Sequence, residues 1–133
     1  GHEWGYRKFT EDQMASLVLL AKDIVKRRKI PNRNVLGHSD VSPARKQDPG
    51  ILFNWQWLAE KGVGFWPKVK DPLETGFPTN FKLREQLSLI GYDPTVSVRL
   101  VLVAFQRHFR PKKINGLLDS ETASLIDSCT ETP

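Results

Sequence analysis

The residues with the clearest capacity for chemistry lie in one stretch, Gly37-His38-Ser39-Asp40-Val41-Ser42-Pro43-Ala44-Arg45-Lys46-Gln47-Asp48-Pro49-Gly50. His38 and Asp48 stand ten positions apart, enough chain to fold back so that an imidazole and a carboxylate meet at one point. Both are zinc-ligand types. Lys46, two positions before Asp48, would point an ammonium into the same cavity, where it stabilises negative charge developing on a carbonyl oxygen. Pro43, Pro49 and Gly50 stiffen the loop, and a stiff loop preorganises its ligands. A structural reading stands beside this one: a lone histidine near carboxylates is more often hydrogen-bonded than metal-bound, and Asp40 fits a loop-capping role. Cys129, the single cysteine, rules out an intrachain disulfide and a cysteine-based zinc site, so any metal falls to histidine and carboxylate.

These residues need elements to position them. Thr10 with Gln13 forms a capping-box pattern, and Met14, Leu17, Val18, Ala21, Ile24 and Val25 mark one face of a helix that ends near Arg28 to Ile30, before Pro31. Asn34 to Gly37 reads as a short strand that delivers His38 into a long irregular loop, and Phe53 to Glu60 as a short helix closing at Lys61-Gly62. Three prolines among residues 67–78 mark a boundary. Beyond it, a helix over Asn80–Ile90 stops at Gly91, a second runs from Pro94-Thr95 to about Phe109, and a third opens at Asp119 and ends near Ser128.

The chain has 133 residues and a net charge of +5, with 11 basic and 7 acidic residues before Pro67 and 9 and 8 from there on. A positive surface suits nucleic acid, anionic lipid or an acidic polymer such as a cell wall. Lys26-Arg27-Arg28-Lys29 is the densest cluster, but at a helix C-terminus it complements the dipole. No basic-aromatic interleaving supports nucleic-acid binding. No apolar run reaches the roughly 20 residues that a membrane span needs. No signal peptide is visible, and a start at Gly1 without methionine reads as a cut or engineered end.

The string His38-Ser39-Asp40, Pro43 to Gly50, Phe53-Asn54-Trp55, Leu58-Ala59 and Gly62-Val63-Gly64-Phe65-Trp66-Pro67 resembles the C-terminal signature of type 2, AmiD-like N-acetylmuramoyl-L-alanine amidases. That resemblance implies a zinc enzyme in which His38 is the second histidine ligand, Asp48 the acidic ligand and Lys46 the residue that stabilises the tetrahedral intermediate. It further implies an α/β fold lacking its N-terminal strands. The family's first zinc histidine and catalytic glutamate sit on strands that precede the helix beginning at Thr10. His2 and Glu3 do not match them, and His2 is read as a mobile or tag-derived end.

The later segment resembles a three-helix peptidoglycan-binding domain through Leu83 to Tyr92, Ala104-Phe105-Gln106 and Gly116-Leu117-Leu118-Asp119-Ser120-Glu121-Thr122. Phe109, Arg110 and Lys112 are the expected wall contacts, and His108 is expected to be structural. The organisation expected is residues 1–67 as the C-terminal part of the amidase domain, 68–79 as linker, and 80–133 as an all-α wall-binding domain. The implied function is hydrolysis of the amide between N-acetylmuramic acid and L-alanine in the bacterial periplasm or cell envelope. Peptidoglycan or muropeptides would be the partners, and this chain alone would be inactive. The rival is a non-catalytic peptidoglycan-binding protein with an amidase-like shape; an oxyanion lysine argues against it, because a pure binder has no use for one. Oligomeric state is not legible.

Overall fold

The computed structural model describes residues 8–68 and 77–131, and every regular element among them is helical. Helix α1 spans Glu11–Arg28. Its capping box is complete: Gln13 N donates to Thr10 Oγ1 at 3.1 Å and Thr10 N donates to Gln13 Oε1 at 2.8 Å. Lys29 ends it in the left-handed conformation. Only Met14 of the expected apolar face is buried; Leu17, Val18, Ala21 and Val25 are half-buried, and Ile24 is exposed beside Leu19 and Leu20.

The expected strand at Asn34–Gly37 is absent. Asn32–Asn34 form a 3-10 turn, and Val35 to Gly37 run extended, with no partner strand among the described residues. A strand needs a ladder to satisfy its backbone. Here Asn34 instead turns its side chain outward, and Nδ2 donates to Ile90 O at 2.7 Å. The α/β character expected of the first half is therefore not found among the described residues. His38 does not sit in a loop either: it opens a one-turn helix α2, His38–Val41. Helix α3, Trp55–Glu60, begins two residues later than expected, because the side chain of Asn54 accepts from Trp57 N at 3.0 Å and caps it there.

The remaining helices are α4, Asn80–Ile90, α5, Val98–Phe109, and α6, Ser120–Glu131. Thr79, Ser97 and Asp119 accept from backbone N–H groups in their first turns. Gly91 stops α4 at φ 129. Residues 69–76, most of the expected linker, lie outside the described residues. Gln106, fully buried, ties α5 to the following turn and to α6. Its Oε1 accepts from Asn115 N and Gly116 N, both at 2.9 Å, and its Nε2 donates to Leu117 O and Thr122 Oγ1. That bonding explains the glutamine of the Ala-Phe-Gln string. Gly116 at φ 72 has no room for more, since a Cβ there would lie 3.0 Å from side-chain carbons of Arg99 and Val103.

Two hydrophobic clusters result. One joins α4, α5 and α6 through Leu83, Leu87, Ile90, Phe105, Phe109 and Ile126; the other gathers Trp55, Leu58 and Val63 against α1. Trp66 packs against both, and Leu36 packs against the first. The two halves are thus pressed together by side chains as well as joined by chain.

Candidate metal centre

Residues 37–50 are folded as a chain of turns. Ser42 N donates to His38 O, Lys46 N to Ser42 O and Gly50 N to Gln47 O, all at 2.9 Å. The decisive closure is Ser39 N donating to Asp48 O at 2.8 Å, which fastens the far end of the loop beside the start of α2. Closure this tight explains Gly37. A Cβ at that position would lie 2.6 Å from Pro49 Cδ and 3.1 Å from Trp55 Cζ2.

This fold brings His38 and Asp48 together. His38 Nδ1 lies 3.2 Å from Asp48 Oδ2, with the histidine side chain 48% and the aspartate 25% exposed. Asp48 Oδ1 is buried and has no hydrogen-bond partner among the described residues. A buried carboxylate oxygen left so is costly unless something else binds it. An imidazole nitrogen and a carboxylate, converging with an oxygen to spare, fit zinc by donor type. No cluster of three histidine, cysteine or carboxylate groups occurs among the described residues, so the pair offers two donors and no third. Lys46 is half-buried in the turn that leads to Asp48. His2 and Glu3 lie outside the described residues.

Directly behind the pair is a buried polar knot that spacing did not reveal. Asp40 is 0% exposed. Its Oδ2 accepts from Gly37 N at 2.9 Å, so it caps the helix that carries His38. Tyr92 OH donates to Oδ1 at 2.5 Å, and His108 Nδ1 lies 2.7 Å from Oδ2. A carboxylate oxygen offers only acceptors, so Nδ1 carries the proton of that bond. His108 is itself stacked between Trp55 and Phe109, ring centroids 3.8 and 3.9 Å apart. Burial, reinforced by Asp40, pushes the Tyr92 hydroxyl well above its usual pKa. Asp40 is therefore a capping residue, as expected, but one whose other partners lie 52 and 68 residues downstream. No local pattern could have paired them.

Of the expected wall contacts, Phe109 is 4% and Arg110 8% exposed, while Lys112 is exposed. The Arg110 guanidinium donates to Asp119 Oδ1 at 2.7 Å, to Glu121 Oε1 at 3.2 Å and to Lys113 O. Partial burial would raise the Asp119 carboxyl, but the bonds from Arg110 and Thr122 outweigh it and hold the group down at about 2.

Comparison with known proteins places these features in context. Residues 2–51 match the family model described as N-acetylmuramoyl-L-alanine amidase. Over 143 aligned residues the chain is 37% identical to the N-acetylmuramoyl-L-alanine amidase AmiD of Escherichia coli K12, covering 95% of this chain and 50% of AmiD. The 1,6-anhydro-N-acetylmuramyl-L-alanine amidase AmpD of Haemophilus influenzae is 45% identical over 49 residues, covering 36% of this chain and 27% of AmpD. Among solved structures, the E. coli AmiD complex with anhydro-N-acetylmuramic acid-L-Ala-D-gamma-Glu-L-Lys superposes at a TM-score of 0.78 and 39% identity, covering 93% of this chain and 53% of AmiD. AmpDh3 of Pseudomonas aeruginosa superposes at 0.82 and 35% identity, covering 94% and 54%. The chain spans about half the length of AmiD and AmpDh3, and over nearly all of its own length it shares their fold.

Proposed function

We propose that this chain is part of a zinc-dependent N-acetylmuramoyl-L-alanine amidase, acting on the amide between N-acetylmuramic acid and L-alanine during cell-wall turnover in the bacterial envelope. The observation that carries the proposal is the convergence of His38 Nδ1 and Asp48 Oδ2 at 3.2 Å, with Asp48 Oδ1 buried and unpartnered among the described residues. The similarity to AmiD along almost the whole chain supports it. Zinc bound there supplies Lewis acidity, polarising the scissile carbonyl and lowering the pKa of water.

The chain's own residues contribute the rest. His38 and Asp48 orient the site, fixed by the Ser39–Asp48 backbone bond and by Asp40 beneath. Lys46, on the same turn system, steadies the negative charge that develops on the carbonyl oxygen. A catalytic zinc takes three protein ligands and leaves one position open, so two ligands hold it weakly, and these residues alone are expected to be inactive. Helices α4 to α6 form the wall-binding portion in this reading, with Lys112 offering an exposed cation.

The test is zinc stoichiometry by equilibrium dialysis on a protein carrying the additional ligand, alongside hydrolysis of an N-acetylmuramoyl peptide followed by mass spectrometry. His38→Ala and Asp48→Ala should each lose both zinc and activity. Full zinc retention in both variants would refute the ligand assignment.

A further inference from the structure

The loop that joins His38 to Asp48 is open on its outer face, where the imidazole is 48% and the carboxylate 25% exposed, so its support comes from behind. That support enters at Gly37, the residue before His38. The Gly37 N–H donates to Asp40 Oδ2. The space a Cβ would fill there is taken by Pro49, the residue after Asp48, and by Trp55, whose Cζ2 would lie 3.1 Å away. Asp40 and Trp55 thus fix where α2 begins, and the Pro49 contact ties the far end of the loop to the same point.

Neither group stands on the first half of the chain alone. Asp40 Oδ2 also accepts from His108 Nδ1, and Oδ1 accepts from Tyr92 OH. Trp55 stacks on the His108 ring, which in turn stacks on Phe109 of α5. One imidazole therefore braces both groups that hold Gly37: its edge meets Asp40 and its face meets Trp55. We propose that His108 and Tyr92 are positioning residues for the His38–Asp48 pair. This rests on the zinc reading above and deepens it: the two donors keep their spacing for a metal because side chains from the second half of the chain back them.

The chemistry behind the loop makes the brace hard to replace. Asp40, Tyr92 and His108 are all buried, so water cannot stand in for a lost donor. An Asp40 carboxylate short of a donor shifts in its pocket, and the Gly37 N–H bonded to it shifts as well. Groups that hydrogen-bond a metal ligand directly are worth about 10–100-fold in metal affinity. His108 and Tyr92 act one step further out, through Asp40 and the Gly37 backbone, which places their effect at the lower end of that range.

A role in packing alone would alter only global stability, whereas positioning alters the loop while the rest of the fold stays closed. The Ser39 N–H, bonded to Asp48 O at 2.8 Å, reports loop closure directly. Amide hydrogen exchange of the full chain, free of metal and well below melting, is followed at Ser39 and at core amides of α6. Local opening exposes Ser39 without global unfolding, so His108→Phe should speed its exchange about tenfold and Tyr92→Phe about threefold. Ile126→Val, a change fully buried in the core of the second half, should leave Ser39 as it was.

The second readout is zinc chloride titrated calorimetrically into the same proteins. His108→Phe should weaken zinc binding by about tenfold, Tyr92→Phe in the same direction by less, and Ile126→Val not at all. Unchanged Ser39 exchange in both knot variants, unchanged zinc affinity despite faster exchange, or an equal effect from Ile126→Val would overturn the positioning role. His38→Ala keeps the two readings apart. If it binds zinc as well as the unmodified chain does, the ligand assignment falls, and Ser39 exchange still decides whether the knot holds the loop. If it loses zinc while the knot variants match the unmodified chain in both readouts, the ligand assignment stands and the positioning role falls.

Discussion

Replacing His108 with phenylalanine isolates the polar knot beneath the loop that joins His38 to Asp48. The new ring keeps a flat group between Trp55 and Phe109, whose centroids lie 3.8 and 3.9 Å from that of the imidazole, so packing is largely retained. What disappears is the Nδ1 donor 2.7 Å from Asp40 Oδ2. Asp40 keeps Gly37 N and Tyr92 OH, but at 0% exposure it cannot replace the lost donor with water. A hydrogen bond to a charged group contributes about 1.5–3 kcal/mol, and its partner stays buried here, so a loss of about 2–3 kcal/mol is expected. At roughly 4 °C per kcal/mol for a chain of this size, melting falls by about 8–12 °C. Urea unfolding read by tryptophan fluorescence measures this directly, because Trp55 stacks on residue 108. Asp40→Asn and the double variant complete a cycle whose coupling should be about 1–2 kcal/mol. A His108→Phe loss below about 0.5 kcal/mol, or strict additivity in the cycle, would refute the claim that the imidazole supports Asp40.

Three further outcomes follow from the geometry. Gly37→Ala places a Cβ 2.6 Å from Pro49 Cδ and should cost about 1–3 kcal/mol in chemical denaturation, since the closed loop must open to admit it. The Asp119 carboxyl is held at about 2, below its ordinary value of 3.8, so its contribution to stability is present above about pH 4 and lost as pH falls toward 2. Asp119→Asn should flatten that part of the acid-unfolding curve, and an unchanged curve would count against the Arg110 pairing. Burial pushes the Cys129 thiol up to about 12, so a disulfide reagent at pH 8 should leave it unmodified in the folded chain and label it promptly in guanidinium.

Local signals in the sequence were reliable where local physics decides. Thr10 and Gln13 form the box their spacing indicates, α4 runs from Asn80 to Ile90 as its apolar period requires, and Asp119 caps α6. The His38–Asp48 meeting was also legible, because a ten-residue separation with Pro43 inside it and Pro49 just after it has few ways to close. The strand at Asn34–Gly37 failed since a strand is a property of two segments, and no partner strand is found among the described residues. Phe109 and Arg110 read as surface residues beside a turn, yet both are drawn inward, one by ring packing on Phe105 and His108, the other by carboxylates that follow nine and eleven positions later. His108 read as structural, and it is, but its partner, Asp40, is fixed only by the tertiary fold.

The Asn34 amide that closes on the last turn of α4, together with the downstream donors to Asp40, bears on how such proteins can be recombined. A helical cassette from another protein, stitched onto the first half of this chain, would bring its own fold but not these groups. Asp40 would then face a foreign surface with an unmet charge, and the turn that begins at His38 would lose the backing that keeps it still. Transplanting α4 to α6 should therefore succeed only when Tyr92, His108 and the receptive carbonyl of Ile90 travel with them, so that the two halves are inherited as a pair.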